Sequence, residues 1–420
     1  MTPDDGVDAS VARPSHRTAH ASKPLTTVLL AAMLVVHNAQ RTGVVPLFTD
    51  LQPRFGTDYA GIGTLFAAYV FGYAIFQAIV GLIGDRFNAR LLLLTGLALS
   101  ALFSAAFAGT RNYELALVIR FLLGATGAFL YTPAMKLGIT LFAREERGRV
   151  MGILQSGAGL GTVGALILVP IGVAHFGMTG GLFTLPVVTL VILVVAAIML
   201  PDAPPQAQKV RVVGSRTGIG WRPDFWQLLA ISFTGMLATY GLLTWLPTYL
   251  TQTFGYSTVR AGTFTSAANI ALLVAAPLVG MLADLPHGRT LVVLGGSALA
   301  FVCYVAIVPK EPIAVIFIIT ILVGVSLAAT TAPLMLFAGE RFESGETARV
   351  VALMATVAQI GATLAGVVFG LVLAHSDRFQ VIWIACAALS LVRLVMLLPF
   401  FLHRRERLPE KVSTPVGGGD

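Results

Sequence analysis

Apolar residues run in blocks of about 20 along nearly the whole chain, and polar residues collect in the short gaps between them. The blocks fall at 25–48, 60–84, 91–109, 114–137, 149–174, 181–200, 225–250, 261–283, 290–308, 313–337, 350–374 and 380–402. A helix rising about 1.5 Å per residue needs about 20 residues to cross a bilayer core. In lipid every backbone donor and acceptor must be satisfied within the protein, which leaves helices and closed barrels. Alternating strands of about ten residues are missing. The pattern therefore predicts an all-α membrane protein of twelve transmembrane helices.

Composition narrows the class. Hydrophobic residues make up 56% of the 420, charged residues only 11%, and mean hydropathy is +0.84. A soluble enzyme of this composition could not cover its surface, and disorder needs the opposite balance. The two cysteines, Cys303 and Cys386, exclude a disulfide scaffold and read as small buried apolar residues.

The net charge of +8 is explained by topology rather than by nucleic acid. With the N-terminus inside, Arg54, Arg111, Arg260, Lys310 and Arg378 fall outside, and Arg41, Arg120, Lys136 and Arg393 fall within spans. The other nineteen of the 28 Lys and Arg residues fall on the cytoplasmic side. The positive-inside rule then puts both termini in the cytoplasm; the expected location is the cytoplasmic membrane. The expected organisation is a tail at 1–24, a six-helix half at 25–200, a linker at 201–223, a second half at 224–402 and a tail at 403–420. The first apolar run is too long for the core of a cleaved signal peptide, so it reads as the first span.

The two halves repeat each other at an offset of about 200 residues. Phe55-Gly56 pairs with Phe254-Gly255, and Gly81, Asp85 and Arg90 pair with Gly280, Asp284 and Arg289. Gly124, Pro133, Glu146 and Gly161 pair with Gly324, Pro333, Glu346 and Gly361. A two-fold repeat of six spans is a transporter architecture with its substrate site between the repeats.

The loop after the second span reads Gly81-Leu82-Ile83-Gly84-Asp85-Arg86-Phe87-Asn88-Ala89-Arg90. It resembles the signature of the Major Facilitator Superfamily, G-x-x-x-D-[RK]-x-G-[RK]-[RK], departing from it at Asn88 and Ala89. The second half repeats Gly280, Asp284 and Arg289 at the matching place. The resemblance covers the whole membrane region. It implies a secondary transporter working by alternating access, with Gly81, Asp85, Arg86, Arg90, Gly280, Asp284 and Arg289 forming a cytoplasmic latch between halves. Plain loop charge obeying the topology rule is the other reading of these residues. Phe71-Gly72-Tyr73-Ala74 and the run from Tyr240 to Leu250 are similar to the anion:cation symporter and organophosphate antiporter branch, which carries organic anions.

Charges inside the membrane are costly, so each is a functional candidate. His37 and Arg41 lie four apart on one face of the first span, with Asn38 beside them. Arg120, Gly124, Gly127 and Tyr131 share an arc of the fourth span. No Asp or Glu lies in the middle of any span, so buried arginines need another anion. A substrate carboxylate or phosphate suits the bidentate fork of guanidinium. Arg41 could instead snorkel outward past Pro46, and Arg120 could instead cap backbone carbonyls or gate. The anion-transporting branch places its first-span Arg eight residues before the Pro; here that position is Asn38, and Arg41 is a turn later. Tyr240 and Thr244 are expected contributions from the second half, with Asn269 and Gln359 as weaker ones. Lys136 is expected to snorkel, and Arg393, on a helix that is peripheral in the family, to pack.

His37 is the candidate proton carrier, because imidazole titrates near neutral pH; a hydrogen-bonded packing histidine is the other reading. The expectation is a monomeric, proton-coupled importer of a small carboxylate-type anion. Export of lipophilic or drug-like compounds and a transporter-like receptor are the alternatives. No nucleotide-binding loop, metal-ligand set, cofactor motif or nucleophile–base pair accompanies these features, so ATP-driven transport and intramembrane enzymology are not expected.

Overall fold

The computed structural model describes residues 23–201, 222–285, 287–339, 341–342 and 344–402. The expected C-terminal tail, and all but the edges of the expected N-terminal tail and linker, lie outside the described residues. The helices are α1 (Lys23–Thr42), α2 (Phe48–Phe55), α3 (Tyr59–Ile83), α4 (Ala89–Gly109), α5 (Tyr113–Thr140) and α6 (Arg144–Met199). They continue with α7 (Pro223–Phe254), α8 (Thr258–Ala283), α9 (Gly288–Ala306), α10 (Ile313–Thr330), α11 (Ala332–Gly339), α12 (Ser344–Ser376) and α13 (Phe379–Leu402).

Eleven segments among the described residues are long and apolar enough to cross a membrane. The expected blocks at 149–174 and 181–200 both fall within α6. Its 56 residues would reach about 84 Å if straight. They are not straight: Gly177 is non-helical (φ 70°, ψ 173°), and Gly172 packs against Gly181 and Thr184, so the chain folds back there.

Polar caps start the helices. Asp58, Asn88 and Asn112 accept from the backbone N–H of Gly61, Arg90 and Leu115, at 2.8–2.9 Å, each satisfying a donor the helix itself cannot. The sequence repeat reappears as geometry. Gly56 and Gly255 end α2 and α7 in the left-handed region (φ 61° and 66°), where a side chain would be strained.

Proline acts differently in the two halves. Pro46 ends α1, which gives way to a 3₁₀ turn (Val45–Leu47) before α2, whereas α7 continues through Pro247. Proline lacks an N–H and clashes with the carbonyl four residues back. Gly43 stands just before the break, where the second half has Thr244. Conversely, α5 continues through Pro133, while the chain breaks between α10 and α11 at Thr331, two residues before Pro333.

The halves meet closely at the Pro46 end. Thr49 and Thr251 hydroxyls lie 3.0 Å apart, Tyr59 donates to Gln252 at 2.5 Å, and Thr258 donates to Asp50 at 3.0 Å. Phe48 meets Trp245 edge to face at 5.5 Å, both fully buried. Behind them α3 and α12 touch backbone to backbone, since a Cβ at Gly63 would run into the carbonyl of Gly366. At the other end, the Lys23–Glu146 (2.9 Å), Arg222–Glu346 (3.9 Å) and Arg341–Asp224 (3.8 Å) ion pairs each stay within one half.

Gly63→Val is therefore expected to prise the halves apart at the Pro46 end. Thr49→Cys paired with Thr251→Cys should form a disulfide readily in the parent and at least tenfold more slowly beside Gly63→Val. Unchanged cross-linking would show that this glycine contact does not hold the closed end.

Candidate anion-binding cavity

Between the halves lies a cavity of about 550 Å³. Its wall takes Asn38, Arg41, Thr42 and Val45 from the Pro46 side, and Gly152, Gln155 and Ser156 from the third and fourth turns of α6. Tyr240 and Thr244 of α7, Thr265 and Asn269 of α8, Leu327 of α10 and Thr331 at the α10–α11 break complete it. The halves close over it at the Pro46 end, and away from that end its lining continues to Gly152 of α6 and Pro277 of α8. No acidic side chain is among its lining residues.

Arg41 is the charge in this wall. It sits in the last turn of α1, only 6% exposed, with its guanidinium carbon 4.8 Å from the Tyr240 ring centre. Its Nε and Nη2 are buried without any hydrogen-bond partner. A buried guanidinium in that condition is costly unless something fills its donors. Asn38, one turn earlier, spends its Nδ2 on the Leu34 carbonyl at 3.0 Å.

Arg120 occupies a different place. Fully buried outside the cavity wall, it donates from Nη1 to the Gln40 carbonyl (2.9 Å) and from Nη2 to the Arg41 carbonyl (3.4 Å). From Nε it donates to Leu65 (3.4 Å). The Gln40 and Arg41 carbonyls are ones that the Pro46 break leaves without continuing helix. Arg120 thus caps α1 and fixes the turn that carries Arg41. Its charge is offset by the Tyr69 ring face, 4.8 Å away.

His37 is also outside the wall. Its Nδ1 lies 3.1 Å from the Tyr69 hydroxyl, which donates to the His37 carbonyl at 2.9 Å. The rings of Tyr73 and Tyr131 pack at 4.6 and 5.9 Å. Tyr131 therefore meets His37 rather than the cavity, and Gln359 is likewise absent from the lining. Of the expected substrate contacts, Asn38, Arg41, Tyr240, Thr244 and Asn269 come together; His37, Arg120, Tyr131 and Gln359 do not join them. Gln155, Ser156, Thr162, Thr265 and Thr331 line the cavity without having been anticipated. Their polarity within apolar spans was the available signal.

The loop motifs show contacts inside each half. Arg90 donates to the Ala197 carbonyl at 2.7 Å, and Asp284 pairs with Arg289 at 3.8 Å. Gly81 and Gly280 lie in the last turn of α3 and of α8, and Arg86 is exposed in a short 3₁₀ turn. The side chain of Asp85 lies outside the described residues.

The Major Facilitator Superfamily model matches residues 30–366 and 261–418, and the chain belongs to that family. It is a multi-pass membrane transporter, not an enzyme, and its relatives include anion transporters. A probable nitrate/nitrite transporter, NarK2, of Mycobacterium tuberculosis is 25% identical over 92% of this chain and 98% of its own length. A probable sulfoacetate transporter, SauU, of Cupriavidus necator is 27% identical over 57% of this chain and 60% of its own. Among solved structures, a bacterial homologue of the human lysosomal transporter Spinster, in an inward-facing and occupied conformation, superposes with a TM-score of 0.77. It is 14% identical, over 91% of this chain and 98% of that one.

Proposed function

We propose that this protein imports a small organic anion of carboxylate type by alternating access, together with a proton. The observation that carries the reading is Arg41: a buried guanidinium with two unfilled donors, in the wall of a central cavity that no carboxylate lines. A carboxylate oxygen pair fits that fork, and Tyr240, Thr244, Asn38 and Asn269 surround it with hydroxyl and amide groups. The nitrate/nitrite and sulfoacetate relatives support an oxyanion cargo.

Counting the two arms of α6 separately, the chain has twelve spans in halves at 25–200 and 224–402, with both termini in the cytoplasm as the basic residues favour. On that orientation the closed Pro46 end faces outward and the cavity faces the cytoplasm. The Asp85 and Asp284 loops would then latch the halves only once the cavity turns outward. His37 is the proposed proton carrier: it adjoins Arg41's turn, and its tyrosine cage separates it from the cavity wall.

Purified protein titrated with acetate, sulfoacetate, nitrate and a lipophilic cation tests the cargo, because a ligand of the folded state raises its melting temperature. Carboxylates are expected to stabilise it. Stabilisation by nitrate alone would restrict the cargo to inorganic oxyanions, and stabilisation by the cation alone would overturn the anion reading. In liposomes, an inward proton gradient should drive uptake at least tenfold above the ungated rate, and His37→Gln should remove that drive. Uptake indifferent to the gradient would overturn proton coupling.

A further inference from the structure

A second cavity, of about 310 Å³, is lined by the second half and by Gln155 of the first, and it holds another buried arginine that faces open space. Arg393 projects from α13, the helix expected only to pack. Its head crosses α7 at Gly235, where a Cβ would collide with the guanidinium, so glycine is what admits it. Ser232, Thr239, Thr330 and Thr331 line the cavity around it. Gln155, Leu327, Thr331 and Ala332 belong to both cavities, so the two spaces share a wall and adjoin.

Arg120 and Arg393 invite comparison, since each reaches a proline-associated helix break. Arg120 spends all three nitrogens on carbonyls. Arg393 is equally enclosed, at 5% exposure, but among the described residues it donates once, from Nη2 to the Thr330 carbonyl at 3.3 Å. Its Nε is buried with no partner. No acidic side chain lines this cavity either. Arg393 therefore does more than cap the α10 break: it offers free donors and an unbalanced charge to the space beside the Arg41 cavity.

We propose that Arg393 is a second anion-binding site and that the cargo is a dianion, with one charged group on Arg41 from the first half and the other on Arg393 from the second. This rests on the Arg41 reading above. The physical reason is charge balance. A monoanion would neutralise one desolvated guanidinium and leave the other uncompensated, whereas a dicarboxylate satisfies both. A cargo that bridges the halves would also draw them together around itself.

The test compares acetate with malonate and succinate, by thermal shift on the full-length protein in detergent. Wild type is expected to bind at least one dicarboxylate at least tenfold more tightly than acetate. Arg393→Gln should reduce that advantage to less than twofold, and Arg41→Gln should weaken all three anions. Acetate binding as tight as that of both dicarboxylates in wild type overturns the proposal whether or not the variants fold. So does an Arg393→Gln protein that retains the preference. If Arg41→Gln leaves every anion unaffected, the cavity reading itself fails, which is a separate outcome. Arg393→Lys keeps the charge but not the planar fork. It should lose at least threefold more for the preferred dicarboxylate than for acetate; equal changes for both would mark Arg393 as structural.

Discussion

Arg41→Gln is expected to weaken anion binding steeply and, at the same time, to raise the melting temperature of the ligand-free protein. The two effects have one cause. In the empty cavity the guanidinium is buried with Nε and Nη2 unfilled, so the folded state carries its desolvation without return. Its contact with the Tyr240 ring offsets only about 0.5–2 kcal/mol of that. Removing the charge relieves the free protein by about 1 kcal/mol or more, a rise of about 1 °C or more for a chain of this size. With ligand present the balance reverses. A desolvated anion left without its cation costs about 3–5 kcal/mol, so affinity should fall by about 100-fold or more. Thermal melts with and without acetate or malonate read both signs in one experiment. A variant that melts lower without ligand and still binds would show that Arg41 is a packing residue.

Arg120→Met should do the opposite. Three carbonyls, those of Gln40, Arg41 and Leu65, lose their donors inside the bundle. Each buried acceptor left unfilled costs about 1–3 kcal/mol, so the loss should be about 3 kcal/mol or more. The expected result is a steep fall in melting temperature and yield, with the remaining folded protein keeping anion affinity within tenfold of wild type. Arg120→Lys should not restore stability, because a single ammonium cannot span three carbonyls as a planar fork does. An Arg120→Met protein of normal stability that has lost binding would return Arg120 to the substrate site. The pair of experiments separates two arginines that look alike in the sequence.

How far the site could be read in advance differs from residue to residue. Arg41, Asn38, Tyr240 and Thr244 were legible because a polar residue at a given depth on a cavity-lining span has few places to go. Gln155 and Ser156 were masked by their neighbours: Gly152, Gly157 and Gly159 stand around them, and small residues at such spacing suit close helix packing. Arg393 was masked by its helix: α13 lies at the periphery of the repeat, and only the missing side chain at Gly235 lets its head pass inward. His37 and Tyr131 were placed by the helix faces they share with Arg41 and Arg120. The partners that enclose them, Tyr69 and Tyr73, come from α3, and which face of α3 meets α1 is a matter of packing.

Membrane insertion, helical class, the internal repeat and the approximate spans were written in the chain itself. Each follows from local hydrophobic length, from backbone groups that lipid cannot satisfy, and from residues recurring at a near-fixed offset. Even the capping residues, Asp58, Asn88 and Asn112, act within one turn of where they stand. The roles of the buried arginines were decided only by tertiary structure. Prolines stand at matching places in both halves, yet the helix breaks at Pro46 and not at Pro247, and beside Pro333 and not at Pro133. Those breaks release carbonyls at two points in the bundle. Which guanidinium reaches them, and which is left with free donors facing a cavity, depends on the close approach of helices far apart in sequence.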